Sequence, residues 1–430
     1  MANLSEYGRQ YGRRCRAIEL LKRGATFAAA CAAVARSEPW LAKWWRRYRE
    51  EGRAGLHERS RAPRRVWRRT PARLVARILR IRAELVAHRT WRTAFAGCGA
   101  EAIRWELEQR GVRRLPSLRT IGRILQRHGC TRRERQRRRG HGRPCPAPRA
   151  TAVGDVQQTD FVGPRHLRGP RGVTRFFAFH TLEPVSRAAA ASYYGDKGTE
   201  AFCAHFLHAW SALGVPRVSQ VDNELALVGG NPHGFTFSQV VRLGLLLGVH
   251  WWFIPPGEPG RNPDIESFNG LWEARVLWRH RCADLPGMRR TSGRFLGYYH
   301  TRKPHRALTV VRHGSRFPEV VLAAARPQLR PLPPGFTLAP YRDARGELRL
   351  PLARGRISFV RRVTAQGEIA LPGGAYRVGR RLAGQYVVAT LYTHRRALVV
   401  KLEGRVIKRF PCPIREPVVP PLYPLPRGRW

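Results

Sequence analysis

The sequence predicts a multidomain α+β protein: helical helix-turn-helix units at the N-terminus, an α/β core in the middle and a small β-barrel near the C-terminus. Three observations carry this. The first 130 residues place apolar side chains at helical spacing between Ser and Gly punctuation. Residues 151–310 alternate strand-like and helix-like segments. From about Pro331 the chain turns to short strand runs separated by Gly. At 430 residues it is also too long for one ordinary core.

Residues 10–60 form the first unit. An Ala-rich helix spans Thr26 to Ala35, a break falls at Arg36-Ser37, and Ser37 is placed to cap the next helix. That helix carries Leu41, Trp44, Trp45 and Tyr48 at i, i+3, i+4 and i+7, with Lys43, Arg46 and Arg47 beside the stripe. A short helix, a turn and a basic helix suit a major groove; any small helical bundle shares the periodicity. The Arg-rich connection Gly55–Arg65 suits a minor groove or plain solvation.

Residues 70–130 form a second helix-turn-helix unit. Val75, Ile78 and Leu79 mark one helix, Ile103 and Leu107 another. Ser117 caps a third, with Leu118, Ile121, Ile124 and Leu125 inside and Gly129 at its end. Arg119, Arg123 and Arg127 stand four apart on the other face, which favours phosphate or base contact. Residues 131–150 are a basic, then Pro-rich linker without apolar periodicity.

In the core, strands are expected at Val156–Val162, Thr174–Leu182, Ala188–Tyr193, Arg217–Val221 and Val249–Ile254. Helices are expected at Gly198–Leu213, Ser238–Leu247, Asp264–Arg279 and Ser292–Tyr299. This order suits an α/β sandwich on a mixed sheet. Residues 331–411 offer five short strand runs, enough for a small barrel, and 412–430 a Pro-rich tail.

Charge narrows the function. Eighty Lys+Arg against 29 Asp+Glu give +51, a field that calls for a polyanion. Residues 1–150 hold 39 basic and 11 acidic side chains, net +28; residues 151–308 hold only +6 and residues 309–430 hold +17. Basic flanks around a nearly balanced core suit a catalytic unit between nucleic-acid-binding ends. No apolar run approaches a membrane span, and the chain is expected to be cytoplasmic. The eight Cys show no C-x-x-C and no zinc spacing with His. No P-loop is present, which excludes that class of ATPase.

Three acids stand out. Asp160 lies inside the first core strand in VQQTDFVG, Asp222 ends the fourth in VSQVDNE, and Glu266 opens a helix in NPDIESFNG. Carboxylates converging at one sheet edge can hold Mg²⁺, which takes oxygen ligands and neutralises charge on a phosphate during phosphoryl transfer. Each acid alone fits a cap or a dipole partner equally well. Tyr298-Tyr299-His300 near Arg302 and Arg306 admits a tyrosine-nucleophile recombinase as a distant third reading.

The surrounding words decide between these. TDFVG, VDNE, PPGEPGRNPDIESFNG and YHTRKPHRAL together resemble the retroviral-integrase-like DDE family of bacterial insertion-sequence transposases. RRYREEGRAGLHERSRAPRR and PSLRTIGRILQRHG look like its tandem helix-turn-helix units. Glu224 and Pro263 stand where the family has Gly, and Ser267 where it has Arg. The resemblance spans about residues 10–410. It implies an RNase H-like core over 151–310 and an SH3-like barrel over 331–411. It implies Asp160, Asp222 and Glu266 as metal ligands and catalytic residues, with Mg²⁺ (or Mn²⁺) as cofactor. It also implies double-stranded DNA, as element ends and target, and a homo-oligomer on that DNA. The implied activity is cleavage leaving a 3′-OH, followed by strand transfer, without a covalent protein–DNA intermediate. The competing reading is a non-catalytic or domesticated DNA-binding protein that acts as a repressor.

Overall fold

The computed structural model describes residues 2–60, 70–131, 144–170, 172–228 and 236–424. The Arg-rich end of the first connection, most of the basic linker and the last six residues of the tail lie outside them. The chain divides into two compact units, Met1–Pro71 and Ala72–Trp430.

Among the described residues the first unit holds three α-helices, α1 (Ala2–Lys22), α2 (Phe27–Val34) and α3 (Glu38–Glu51), and a short 3-10 turn, Gly52–Leu56. Thr26 Oγ1 accepts from Ala29 N at 3.2 Å and starts α2. Ala35 turns the chain with a left-handed φ of 51°, and Pro39 sits in the first turn of α3, where its missing N–H costs nothing. Ala17, Ile18, Ala30, Cys31, Val34, Leu41, Trp44 and Leu56 make the core. Arg14 closes it: buried, it donates to Leu56 O at 3.0 Å and Glu58 at 2.7 Å, with its guanidinium 3.9 Å from the Trp44 ring centroid.

The second unit opens with α4 (Ala72–Ala87), α5 (Ala100–Gln109) and α6 (Leu118–Arg127). Ser117 Oγ accepts from Thr120 N at 3.1 Å, the expected cap. Ile78, Ile81, Leu85, Ile103, Leu107, Ile121, Ile124 and Leu125 fill the space between the helices.

Then come β1 (Val156–Gly169), β2 (Gly172–Leu182), β3 (Ala189–Tyr194), α7 (Thr199–Leu213), β4 (Val218–Val221), the short α8 (Leu225–Val228), α9 (Gln239–Leu246), β5 (His250–Phe253), α10 (Pro263–Trp272) and α11 (Leu285–Thr301). The expected core strands and helices are all present, β1 running longer and α11 starting earlier. α10 continues through one wider π turn, Glu273–Leu277. β1–β3 pair antiparallel, and β1, β4 and β5 run parallel. Helix α7 covers one face with Phe202, Phe206 and Trp210 against Trp251; α10 and α11 cover the other with Phe268, Trp272 and Phe295.

The C-terminal region departs from expectation. After α12 (Val310–His313) and α13 (Pro318–Ala325) come β6 (Leu352–Ala353), β7 (Arg356–Arg362), β8 (Glu368–Leu371), β9 (Gly374–Arg377), β10 (Tyr386–Tyr392), β11 (Ala397–Leu402), β12 (Arg405–Pro411) and β13 (Val418–Val419). Among the described residues these strands close no separate barrel. β7 instead pairs in parallel with β5, Trp252 opposite Ser358, and one open sheet runs β12-β11-β10-β7-β5-β4-β1-β2-β3. The cause is legible in burial: residues 357–361 are buried without interruption, the mark of a central strand rather than of alternating barrel walls. Without β7, the fully buried β5 would be a bare edge.

Candidate active site

The sheet register sets two of the three acids side by side. Gln158 on β1 is the Cα partner of Gln220 on the parallel β4. Two residues on from each stand Asp160, on the same face of β1 as Gln158 because strand side chains repeat every two residues, and Asp222, directly after the end of β4. Those glutamines also hold the third acid's helix. Ile265 N donates to Gln158 Oε1 at 3.1 Å, and Gln220 Nε2 donates to Arg261 O at 2.9 Å. The start of α10 is thereby pinned over β1 and β4, with Glu266 in its first turn. Pro263, a departure from the family pattern, occupies the first helical position, where proline is at home.

Partners divide the acids of this edge into two groups. Glu224 pairs with Lys197 at 2.9 Å, Glu258 with Arg261 at 2.9 Å, Asp264 with Arg187 and Glu273 with Arg165. Asp160, Asp222 and Glu266 have no cation within ion-pair distance among the described residues. Asp160 accepts from Phe161 N and from Asn269 Nδ2, both at 2.8 Å; Asp222 accepts from Glu224 N at 3.2 Å.

Burial, chiefly, pushes the Asp160 carboxyl up to about 6, and the negative charges of Asp222 and Glu266 push it the same way. Burial likewise raises Asp222, with Glu224 adding repulsion and Lys197 opposing it. The three carboxylates thus share one electrostatic neighbourhood. They do not close on a point: among the described residues no three His, Cys, Asp or Glu side chains gather into a metal-ligand group as they stand. The donor set itself fits a hard cation, since it is all carboxylate oxygen with no described cation at ion-pair distance.

Two residues of this site were not singled out from sequence. Asn269, three residues beyond Glu266 on α10, holds Asp160 with its amide N–H. Its Oδ1 faces His180 Nδ1 at 2.7 Å, so His180 must donate there. His180 lies on β2 directly opposite Asp160, is fully buried, and is driven down to about 4 by burial, leaving it neutral. The signal for Asn269 was its i+3 spacing from Glu266; nothing short of the strand register reveals His180.

The basic candidates lie elsewhere. Lys43 and Arg46 are exposed on α3, and Arg47 is half-buried with its guanidinium 4.9 Å from the Trp44 ring centroid. Arg119, Arg123 and Arg127 are exposed on α6. Tyr299 is buried, with burial raising its hydroxyl pKa, which suits packing rather than nucleophilic attack.

A helix-turn-helix domain model matches residues 13–64, and an integrase core domain model matches residues 247–311. The matched core segment contains Glu266, Asn269 and the YHTRKPHRAL run. Among solved structures, the chain is similar to the HTLV-2 integrase catalytic core domain in complex with magnesium, at 17% identity over 37% of this chain and 96% of that one, TM-score 0.29. It is similar to a chain of the simian T-cell lymphotropic virus intasome in complex with PP2A regulatory subunit B56 gamma, at 15% identity over 77% of this chain and 96% of that one, TM-score 0.33. The BIV integrase catalytic core domain is 12% identical over 41% and 98%, TM-score 0.30. No described helix is long and apolar enough to cross a membrane.

Proposed function

We propose that the chain binds the ends of its element as double-stranded DNA, works there as a homo-oligomer, and catalyses 3′-end cleavage and strand transfer. Asp160, Asp222 and Glu266 serve as ligands for Mg²⁺, which Mn²⁺ can replace. The observation that supports this reading best is the division of the acids: every rival carboxylate at the edge is spent on a cation, and these three are not. A bound divalent cation supplies charge neutralisation at the phosphate and at the attacking and leaving oxygens. The chain's own residues supply position. Asn269 and Phe161 N–H fix both oxygens of Asp160, and the two glutamines fix the start of α10. The helix-turn-helix of residues 10–60, with Lys43, Arg46 and Arg47, and the arginine row Arg119, Arg123 and Arg127 hold the DNA.

The test is a cleavage assay on duplexes carrying the element's ends, with binding measured in parallel. Asp160→Asn, Asp222→Asn and Glu266→Gln should bind and not cleave. Gln or Asn at Glu224, Glu258, Asp264 and Glu273 should leave cleavage standing. An active Glu266→Gln beside a dead variant of one of these overturns the assignment. A wild type that binds but never cleaves in Mg²⁺ or Mn²⁺ leaves the repressor reading.

A further inference from the structure

A cleft of about 610 Å³ opens between the second helical unit and the core, within the Ala72–Trp430 unit. Its volume is that of an ordinary ligand pocket. Phe95 and Phe295 form a buried floor, and the half-buried rings of Trp105 and Tyr298 stand on its walls. Arg92, Arg275, Arg302 and Lys303 reach into it.

None of these four cations has a carboxylate within ion-pair distance among the described residues. The two acids on the wall are already engaged, Glu101 by Arg306 at 3.1 Å and Glu106 by Arg110 at 3.4 Å. Arg275 donates to the Ala96 carbonyl, and Arg302 lies 4.0 Å from the ring centroid of Trp91, an indole left 64% exposed. Lys303 is held below the usual lysine range, first by burial. Charges taken partly out of water want a counter-charge; Glu101 acts on Lys303 from a distance, but no described carboxylate lies within ion-pair distance of the four.

The cleft is also prepared locally. Arg275 sits in the π turn that follows α10, an irregularity frequent at functional sites. A Cβ at Gly97 would come within 3.1 Å of its Nη2, so glycine leaves that guanidinium its room. Position links the cleft to the acids. Arg275 lies nine residues beyond Glu266 on one continuous helical run, about 14 Å along the axis, or roughly four base-pair steps of DNA.

Flat aromatic walls beside unpaired cations select an occupant with a π-face and a negative charge. We propose that this cleft receives one nucleotide swung out of the bound DNA end, its base against Trp105 and Tyr298 and its phosphate among Arg275, Arg302 and Lys303. This rests on the reading that the chain acts on DNA ends.

The test uses the full chain and duplexes of the element's end, with 5-iodouracil placed at successive positions on each strand. Irradiation should crosslink at one or two adjacent positions, and peptide mapping should find the link at Trp105 or Tyr298. Trp105→Ala and, as a surface-compatible second variant, Lys303→Glu should each cut that crosslink at least tenfold and weaken end binding by about tenfold. Binding and cleavage are scored in the same samples. Bound, cleaved duplex with no crosslink to the cleft from any position overturns this proposal and leaves the proposed function standing. Duplex neither bound nor cleaved overturns both. Tight binding of free dAMP at the cleft, unaltered by DNA and without a DNA crosslink, would make it a site for a free nucleotide and also overturn the proposal.

Discussion

Asp160→Asn should stabilise the metal-free protein. The Asp160 carboxyl rises from an ordinary value of 3.8 to about 6, mainly through burial and then through repulsion from Asp222 and Glu266. A rise of about two pH units, at about 1.4 kcal/mol each, makes the ionised carboxylate cost about 3 kcal/mol of folding stability at pH 7. Asparagine removes that cost. It also brings an amide N–H against the Asn269 N–H that now donates to Asp160, a mismatch worth about 1 kcal/mol. The net gain is about 2 kcal/mol, or about 3 °C in the melting of this large unit.

The pH dependence has a definite sign. The folded-state pKa is raised, so the group's favourable contribution is complete below about pH 4 and is lost as pH climbs through about 6. The advantage of the asparagine variant is therefore full at pH 7 and about a third as large at pH 5. Differential scanning calorimetry of both proteins in EDTA, across pH 5 to 7.5, reads it directly. Added Mg²⁺ should raise the wild-type midpoint and leave the variant nearly unmoved. A variant that melts lower than wild type at pH 7.5 in EDTA, or an advantage that does not shrink toward pH 5, refutes the reasoning.

Asn269→Ala should abolish most cleavage while binding persists, and should cost about 2 kcal/mol in thermal melts, because Asp160 Oδ2 and the buried His180 Nδ1 both lose their partner. Ala35→Gly should raise the stability of the first unit by about 1 kcal/mol in denaturant melts without changing DNA affinity, since it relieves a left-handed φ of 51°. Lys43→Ala with Arg46→Ala should weaken binding to all duplexes and flatten the salt dependence of log K by about one per lost phosphate contact; an unchanged slope in titrations from low to moderate salt removes these residues from the interface.

Much of the core was readable because local and global preferences agree there. Hydrophobic runs bounded by Gly and Pro gave β2, β3 and α7 nearly to the residue. Asp160 lies within β1, Asp222 directly after β4 and Glu266 in the first turn of α10, close to where the strand and helix patterns put them. Other features depend on pairing across the chain. His180 meets Asp160 only through the β1–β2 register, and the engagement of Glu224, Glu258, Asp264 and Glu273 by cations depends on which arginine or lysine folds back onto each. Helix α1 begins further toward the N-terminus than a unit starting at residue 10 suggests, because Ala2–Lys22 is polar and only Ala17 and Ile18 commit fully to the core.

The misplaced barrel is the more instructive departure, because its strands reach the site. ISFVR in β7 reads as a short barrel strand when only its Gly flanks are considered. Its five successive buried residues fit instead beside β5. That placement carries Arg361 to the end of β4, where its Nη2 donates to Asn223 Oδ1 at 2.8 Å while Asn223 Nδ2 donates to Ile254 O at 2.6 Å. Burial pulls Arg361 down only to about 10, so it stays charged, and its other N–H groups go to the Ala370 and Val360 carbonyls at 2.8 and 2.9 Å. The residue after Asp222 is therefore held by a strand that begins 133 positions later in the chain. A core cut at residue 310 would bare the β5 edge and release Asn223 together, so the C-terminal strands belong to the geometry of the acids.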